Sequence, residues 1–156
     1  MERLLETKGK ILGVDFGDKR TGLAVCDVTR FLASGIGTIS PGGMQKTAEA
    51  IVEKVRELNI TGGIVIGLPV NMNGTEGPRA EHCRKFAGIV ERLLDADEKY
   101  RGIPIVMLDE RMTTMVAARY LNETDTRGSK RKGVIDTLSA QIILQNAIDR
   151  LKNMKA

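Results

Sequence analysis

Tryptophan is absent from this chain, and three phenylalanines and two tyrosines are its only aromatics among 156 residues. Base stacking on aromatic platforms is therefore not the expected way for it to bind nucleic acid. Histidine occurs once, at position 82, among Arg79, Glu81, Arg84 and Lys85 on a polar helical face. That setting reads as surface rather than as a base or a metal ligand. The two cysteines, Cys26 and Cys83, sit in apolar or helical contexts without CxxC or Cys/His spacing, which argues against zinc and for a reduced, cytosolic chain. No apolar run approaches a membrane span, and the opening MERLLETKGK lacks the apolar core of a signal peptide, so no membrane partner is expected. No GxxxxGK[ST] phosphate loop occurs. Asp15-Phe16-Gly17 spells a kinase metal triplet, but no glycine-rich loop, strand lysine or catalytic loop accompanies it. Internal repeats, low-complexity tracts and linkers are absent too. The length suits one domain, residues 1–156, with a real core.

What the chain does have begins at ILGVDFGDKRTGLAV, residues 11–25. Ile11, Leu12 and Val14 read as a central strand, and Leu23, Ala24 and Val25 as a second. Gly17, Asp18, Lys19 and Thr21-Gly22 read as the hairpin turn between them. A short strand is expected at 36–39, a helix over 44–58, and a buried strand at Ile64-Val65-Ile66-Gly67-Leu68. Pro78 fits the first turn of a helix running to about residue 98. Ile103 to Leu108 reads as another strand, and residues 113–122 and 134–152 as helices joined by a polar, glycine-containing loop. This order predicts an α/β fold: a mixed sheet, antiparallel at the start and parallel later, with helices on both faces. Sites in such sheets gather beyond the C-terminal ends of the strands.

Three acids arrive at that edge. Asp15 ends the first strand, where a carboxylate costs stability unless something pairs with it. Glu110, with Asp109 beside it, ends the strand from 103 to 108. Asp136 opens the last helix, on the sheet-facing stripe with Ala140, Ile143, Leu144 and Ala147, while Thr137, Gln141 and Gln145 form a polar stripe. Oxygen ligands without His or Cys suit a hard cation, Mg²⁺ or Mn²⁺, and converging carboxylates can hold one or two. Such ions activate water and neutralise charge in a displacement at phosphorus. The chain is mildly basic, with 24 Lys and Arg against 20 Asp and Glu, and the cations cluster. Lys19 and Arg20 follow Asp15, Arg111 follows Glu110, and Lys130-Arg131-Lys132 lie in a glycine-flanked loop before Asp136. Cations beside acids on one edge fit a phosphate-backbone substrate. The turn Asn71-Met72-Asn73-Gly74 offers further amides there, for sugar or phosphate or simply for the turn itself.

Four segments, GVDFGDKRTGLAV, IVIGLPVNMNGTEGPRAEHCRKFA, LDERMTT and KRKGVIDTLSAQIIL, resemble in order and spacing the signature blocks of the YqgF (RuvX) family. The resemblance covers nearly the whole chain. It implies a ribonuclease H-like fold and a metal-dependent nuclease of the bacterial cytoplasm, linked to 5′-end maturation of pre-16S rRNA and earlier to Holliday junction resolution. It places the family's acids on Asp15, Glu110 and Asp136. The related RuvC resolvases carry a further aspartate shortly after the helix acid, where this chain has Thr137, Ser139 and Ala140. One metal site is then weaker, or Asp109 completes it. The partner is structured RNA or branched DNA, and a homodimer would suit a junction cutter, because two opposed cuts suit a two-fold assembly. Two other readings stay open: a non-catalytic RNA-binding ribosome-assembly factor, and an ATP-binding module, since the hairpin also reads as DxGxxxxG.

Overall fold

The structure, a computed structural model, describes residues 1–109 and 128–155, with side chains from residue 133 onward in the second stretch. Its elements are α1 (Glu2–Glu6), β1 (Ile11–Asp15), β2 (Thr21–Val25), β3 (Ser34–Ile39), α2 (Met44–Leu58), β4 (Gly63–Leu68), α3 (Pro78–Asp95), β5 (Ile105–Asp109) and α4 (Gly128–Lys155). The strands form one sheet in the order β3-β2-β1-β4-β5. The β1–β2 and β2–β3 pairs are antiparallel, and β1–β4 and β4–β5 are parallel. The mixed sheet expected from the order of apolar segments is therefore present.

Alternation along the strands divides the core in two. Leu12, Val14 and Phe16 of the β1 segment and Ile64, Ile66 and Leu68 of β4 face α2 and α3, packing with Ile51, Val55, Phe86 and Val90. Ile11, Ala24, Val65 and Leu108 face the other way, against Ala140, Ile143, Leu144 and Ala147 of α4. Being covered on both faces is why β1 and β4 read as continuous apolar runs rather than as alternating ones. The helices follow their periodicity as expected: Ala48, Ile51, Val52 and Val55 form the buried stripe of α2, and Pro78 opens α3.

Several boundaries differ from the sequence reading: β5 runs Ile105–Asp109 rather than 103–108, α3 ends at Asp95 rather than near residue 98, and three others bear on the site or its sheet. Thr21 and Gly22 belong to strand β2, not to the turn, because they continue the register Asp15↔Gly22 and Thr21↔Ile39. Gly128 to Gly133 is not a loop: α4 starts at Gly128, and Asp136 lies in its third turn. The intervening Lys130, Arg131 and Lys132 are good helix formers, and a glycine in a helix costs only about 1 kcal/mol against alanine, which packing of the rest of α4 on the sheet outweighs. Strand β3 starts two residues earlier than expected. Helix α1 was not anticipated; Arg30, from the β2–β3 loop, donates to the carbonyls of Leu4 and Gly9 and to Thr7 Oγ1, tying the N-terminal segment down. The helix expected over 113–122, with Glu110 and Arg111, lies outside the described residues. Among those described, no helix is long and apolar enough to cross a membrane.

Far from the strand ends, Arg56 of α2 donates from Nε to Asp97 Oδ2 at 2.9 Å, bridging to the turn after α3. This hydrogen bond holds the Asp97 carboxyl below its ordinary pKa. Arg84 does the same to Glu76, with Nε and one terminal nitrogen each 2.7 Å from a carboxylate oxygen. A depressed carboxyl pKa contributes stability that is present above the unfolded-state value and lost as pH falls through the folded one. Asp97→Asn is therefore expected to be less stable than the parent at neutral pH, with the gap closing as pH falls below about 4. Urea unfolding across that range checks this, and a gap constant with pH would refute it.

Candidate active site

The sheet's C-terminal edge is organised by two glycines. Gly13 stands where any side chain would strike α4: a Cβ there would lie 2.7 Å from Leu144 Cβ and 3.1 Å from the Ala140 carbonyl. At Gly22 the approach is closer still, with a Cβ falling 2.0 Å from the Asp136 carbonyl oxygen and 3.1 Å from Thr137 N. Helix backbone thus lies directly on strand backbone at these two points, which only glycine permits. Asp15 is the cross-strand partner of Gly22 and shares the parity of Gly13. Its side chain therefore projects to the α4 face, beside the place where Asp136 crosses. Two of the three acids picked out in the sequence are brought together in this way.

Asp136 has a partner. Arg20, in the turn between β1 and β2, donates from Nε to Asp136 Oδ2 at 2.9 Å, with the two side chains 28% and 23% exposed. The sequence reading placed Arg20 at this edge but not in this pair. Lys19 beside it is exposed. Lys130, Arg131 and Lys132 stand four to six residues before Asp136 on the same helix, roughly 6–9 Å along its axis.

Asp109 pairs in register with Leu68 and shares the parity of Ile105 and Met107, which pack on the α2/α3 core. It thus lies on the face opposite Asp15, so the idea that it completes the acid cluster does not fit the alternation of β5. Glu110 and Arg111 are outside the described residues. No group of three metal-competent His, Cys, Asp or Glu side chains occurs among those described.

The 71–75 turn follows β4 at the same edge, and its amides serve the turn. Asn71 Nδ2 donates to Thr75 Oγ1 at 3.0 Å, while Asn73 Oδ1 accepts from Thr75 N at 3.1 Å and from Thr75 Oγ1 at 2.6 Å. His82 is exposed on α3, as read from its neighbours. The polar stripe of α4 has a structural use. Gln145 Oε1 accepts from Ala33 N at 2.9 Å, Gln141 and Thr137 lie over Gly35 of β3, and the ammonium of Lys152 lies 4.2 Å from the centre of the Phe31 ring. Sequence reasoning missed these contacts and both glycine approaches. The signal available for the latter was a glycine within an otherwise apolar strand.

Residues 9–150 match the family model described as "RuvX: Holliday junction resolvase". A protein of Ruminiclostridium cellulolyticum named "Putative pre-16S rRNA nuclease" is 40% identical over 147 residues, covering 94% of this chain and 98% of its own length. One of the same name from Thermoanaerobacter pseudethanolicus is 43% identical over 145 residues, covering 92% and 99%.

The chain belongs to the RuvX family.

Its relatives, like the family itself, are named for nucleic-acid cleavage, which makes the chain a member of a nuclease family. Among solved structures, RuvC from Thermus thermophilus bound to a Holliday junction substrate superposes with a TM-score of 0.55 at 15% identity, covering 93% of this chain and 96% of that one. The fowlpox virus Holliday junction resolvase does so at 0.51 and 10%, covering 88% and 99%. At such identities the likeness speaks for the fold, and this RuvX chain is ribonuclease H-like, as the resemblance implied.

Proposed function

We propose that this chain is a divalent-metal-dependent nuclease that hydrolyses phosphodiester bonds in the cytoplasm, at the 5′ end of pre-16S rRNA. The observation that carries this reading is the meeting of Asp15 and Asp136 on one face of the sheet edge, across Gly22. The donor set suits the metal: both groups are carboxylates, hard oxygen donors without a competing soft ligand. Asp15, Asp136 and Glu110 would hold Mg²⁺ or Mn²⁺. A divalent ion so held supplies a water of lowered pKa and offsets the charge that develops at phosphorus.

The chain's other groups bind and orient. Lys19, Arg111, Lys130, Arg131 and Lys132 are assigned to the phosphate backbone, and contacts of this kind position a strand without reading its bases. Asn71 and Asn73 shape the turn at the far side of the edge and take a supporting place in this scheme. RNA is preferred as substrate because the relatives sharing about two-fifths of the sequence are named for pre-16S rRNA.

The test is cleavage of a 5′-extended 16S precursor RNA and of a four-way DNA junction at matched salt with Mg²⁺ or Mn²⁺. Cleavage of the RNA with the junction left intact is expected. Paired, symmetric nicks in the junction with intact RNA would overturn the substrate assignment and favour a two-fold assembly.

A further inference from the structure

The Arg20–Asp136 pair raises a conflict within the proposed site. Arg20 Nε sits 2.9 Å from Asp136 Oδ2, an oxygen that a hard cation held by Asp136 would also draw on. A guanidinium and a divalent ion repel each other, so both cannot stay close to one carboxylate without cost. One of them must yield. Arg20 is the group that can move. Its backbone is held in a tight turn, where a Cβ on Gly17 would lie only 2.4 Å from the Arg20 carbonyl oxygen. Its side chain is long and partly exposed, and a rotamer change carries the guanidinium several ångströms without disturbing the turn. A guanidinium is also the side chain best matched to a phosphate, through two parallel N–H···O bonds.

We infer that Arg20 is an exchange residue: it holds Asp136 while the site is metal-free, gives the carboxylate up when metal is loaded, and then turns to a backbone phosphate of the substrate. This rests on the metal site proposed above and adds a coupling to it. Phosphate that draws Arg20 away frees Asp136, and metal that takes Asp136 frees Arg20, so metal and nucleic acid each strengthen binding of the other. Arg20 is thus a positioning residue for Asp136 before it is a phosphate ligand. An arginine that served only as a phosphate contact, held clear of Asp136, would leave metal affinity in the free protein nearly unchanged.

Mn²⁺ titration by calorimetry, without nucleic acid, separates the two. Arg20→Met, which keeps the aliphatic length and removes the charge, is expected to bind Mn²⁺ roughly fivefold more tightly than the parent, the scale of a partly exposed ion pair. Arg20→Gln should behave alike, so misfolding of one variant, detected by circular dichroism, leaves the other. In EDTA, where Asp136 retains its partner, Arg20→Met should cost RNA affinity little, whereas with Mn²⁺ at 4 °C, before cleavage develops, it should cost several-fold. Unchanged or weaker Mn²⁺ binding by the folded Arg20 variants overturns the inference. Asp136→Asn tells the two failures apart. If it loses Mn²⁺ while the Arg20 variants match the parent, the metal site stands and the exchange falls; if it binds Mn²⁺ as the parent does, both fall.

Discussion

Asp15→Asn should reduce metal-dependent cleavage at least about a thousandfold while leaving the chain folded. Asparagine has the same shape and loses only the negative charge, so the change isolates the electrostatic part of the site. Several kcal/mol of transition-state stabilisation is the usual contribution of a held metal, and each 1.4 kcal/mol or so is a factor of ten in rate. Stability should change much less than cleavage. Asp15 is only half-buried at the end of β1, and asparagine keeps its size and its hydrogen-bonding capacity there. Single-turnover cleavage measured beside thermal unfolding decides the matter. Parent-like cleavage by a folded Asp15→Asn protein would remove Asp15 from the site, and an equal loss of cleavage and of Tm would make its role structural.

Gly22→Ala is expected to damage both stability and cleavage, although it removes no functional group. Strand propensity alone predicts the reverse, because glycine weakens a strand and alanine restricts the unfolded chain. The contact decides the sign. A Cβ 2.0 Å from the Asp136 carbonyl oxygen meets helix backbone rather than a flexible side-chain tip, so α4 must lift from β2. Overpacking of this kind costs about 1–3 kcal/mol, and here the displaced segment carries Asp136 itself. Gly13→Ala is the companion measurement. It also meets α4, but one to two turns further along, at Ala140 and Leu144. It should lose comparable stability and a smaller share of cleavage. A Gly22→Ala protein as stable and active as the parent would show that helix and strand do not meet at this point.

Much of the arrangement was legible in the chain because it depends on neighbours in sequence. Helical spacing at Ala48, Ile51, Val52 and Val55, and the apolar run Ile64 to Leu68, specify elements whatever they pack against. Asp15 stood out for a related reason: a carboxylate closing an apolar strand is a local contradiction, and such contradictions mark sites. Where local signals pointed the wrong way, packing had overridden them. Thr21-Gly22 looked like turn residues, yet α4 crosses there and the glycine is needed inside the strand. The glycine-flanked cations before Asp136 looked like a loop, yet they continue a helix anchored on the sheet by Ala140, Ile143 and Leu144.

By itself, then, the sequence determined the mixed sheet and the helical stripes and singled out Asp15 and Asp136, since periodicity and composition act over a few residues. Only the tertiary structure decided that Arg20 partners Asp136 across 116 positions of chain, and that Asp109 stands on the opposite face from Asp15. Those outcomes depend on strand parity and on where one helix crosses two strands. Neither is encoded in any short window, because each exists only once distant segments share a surface.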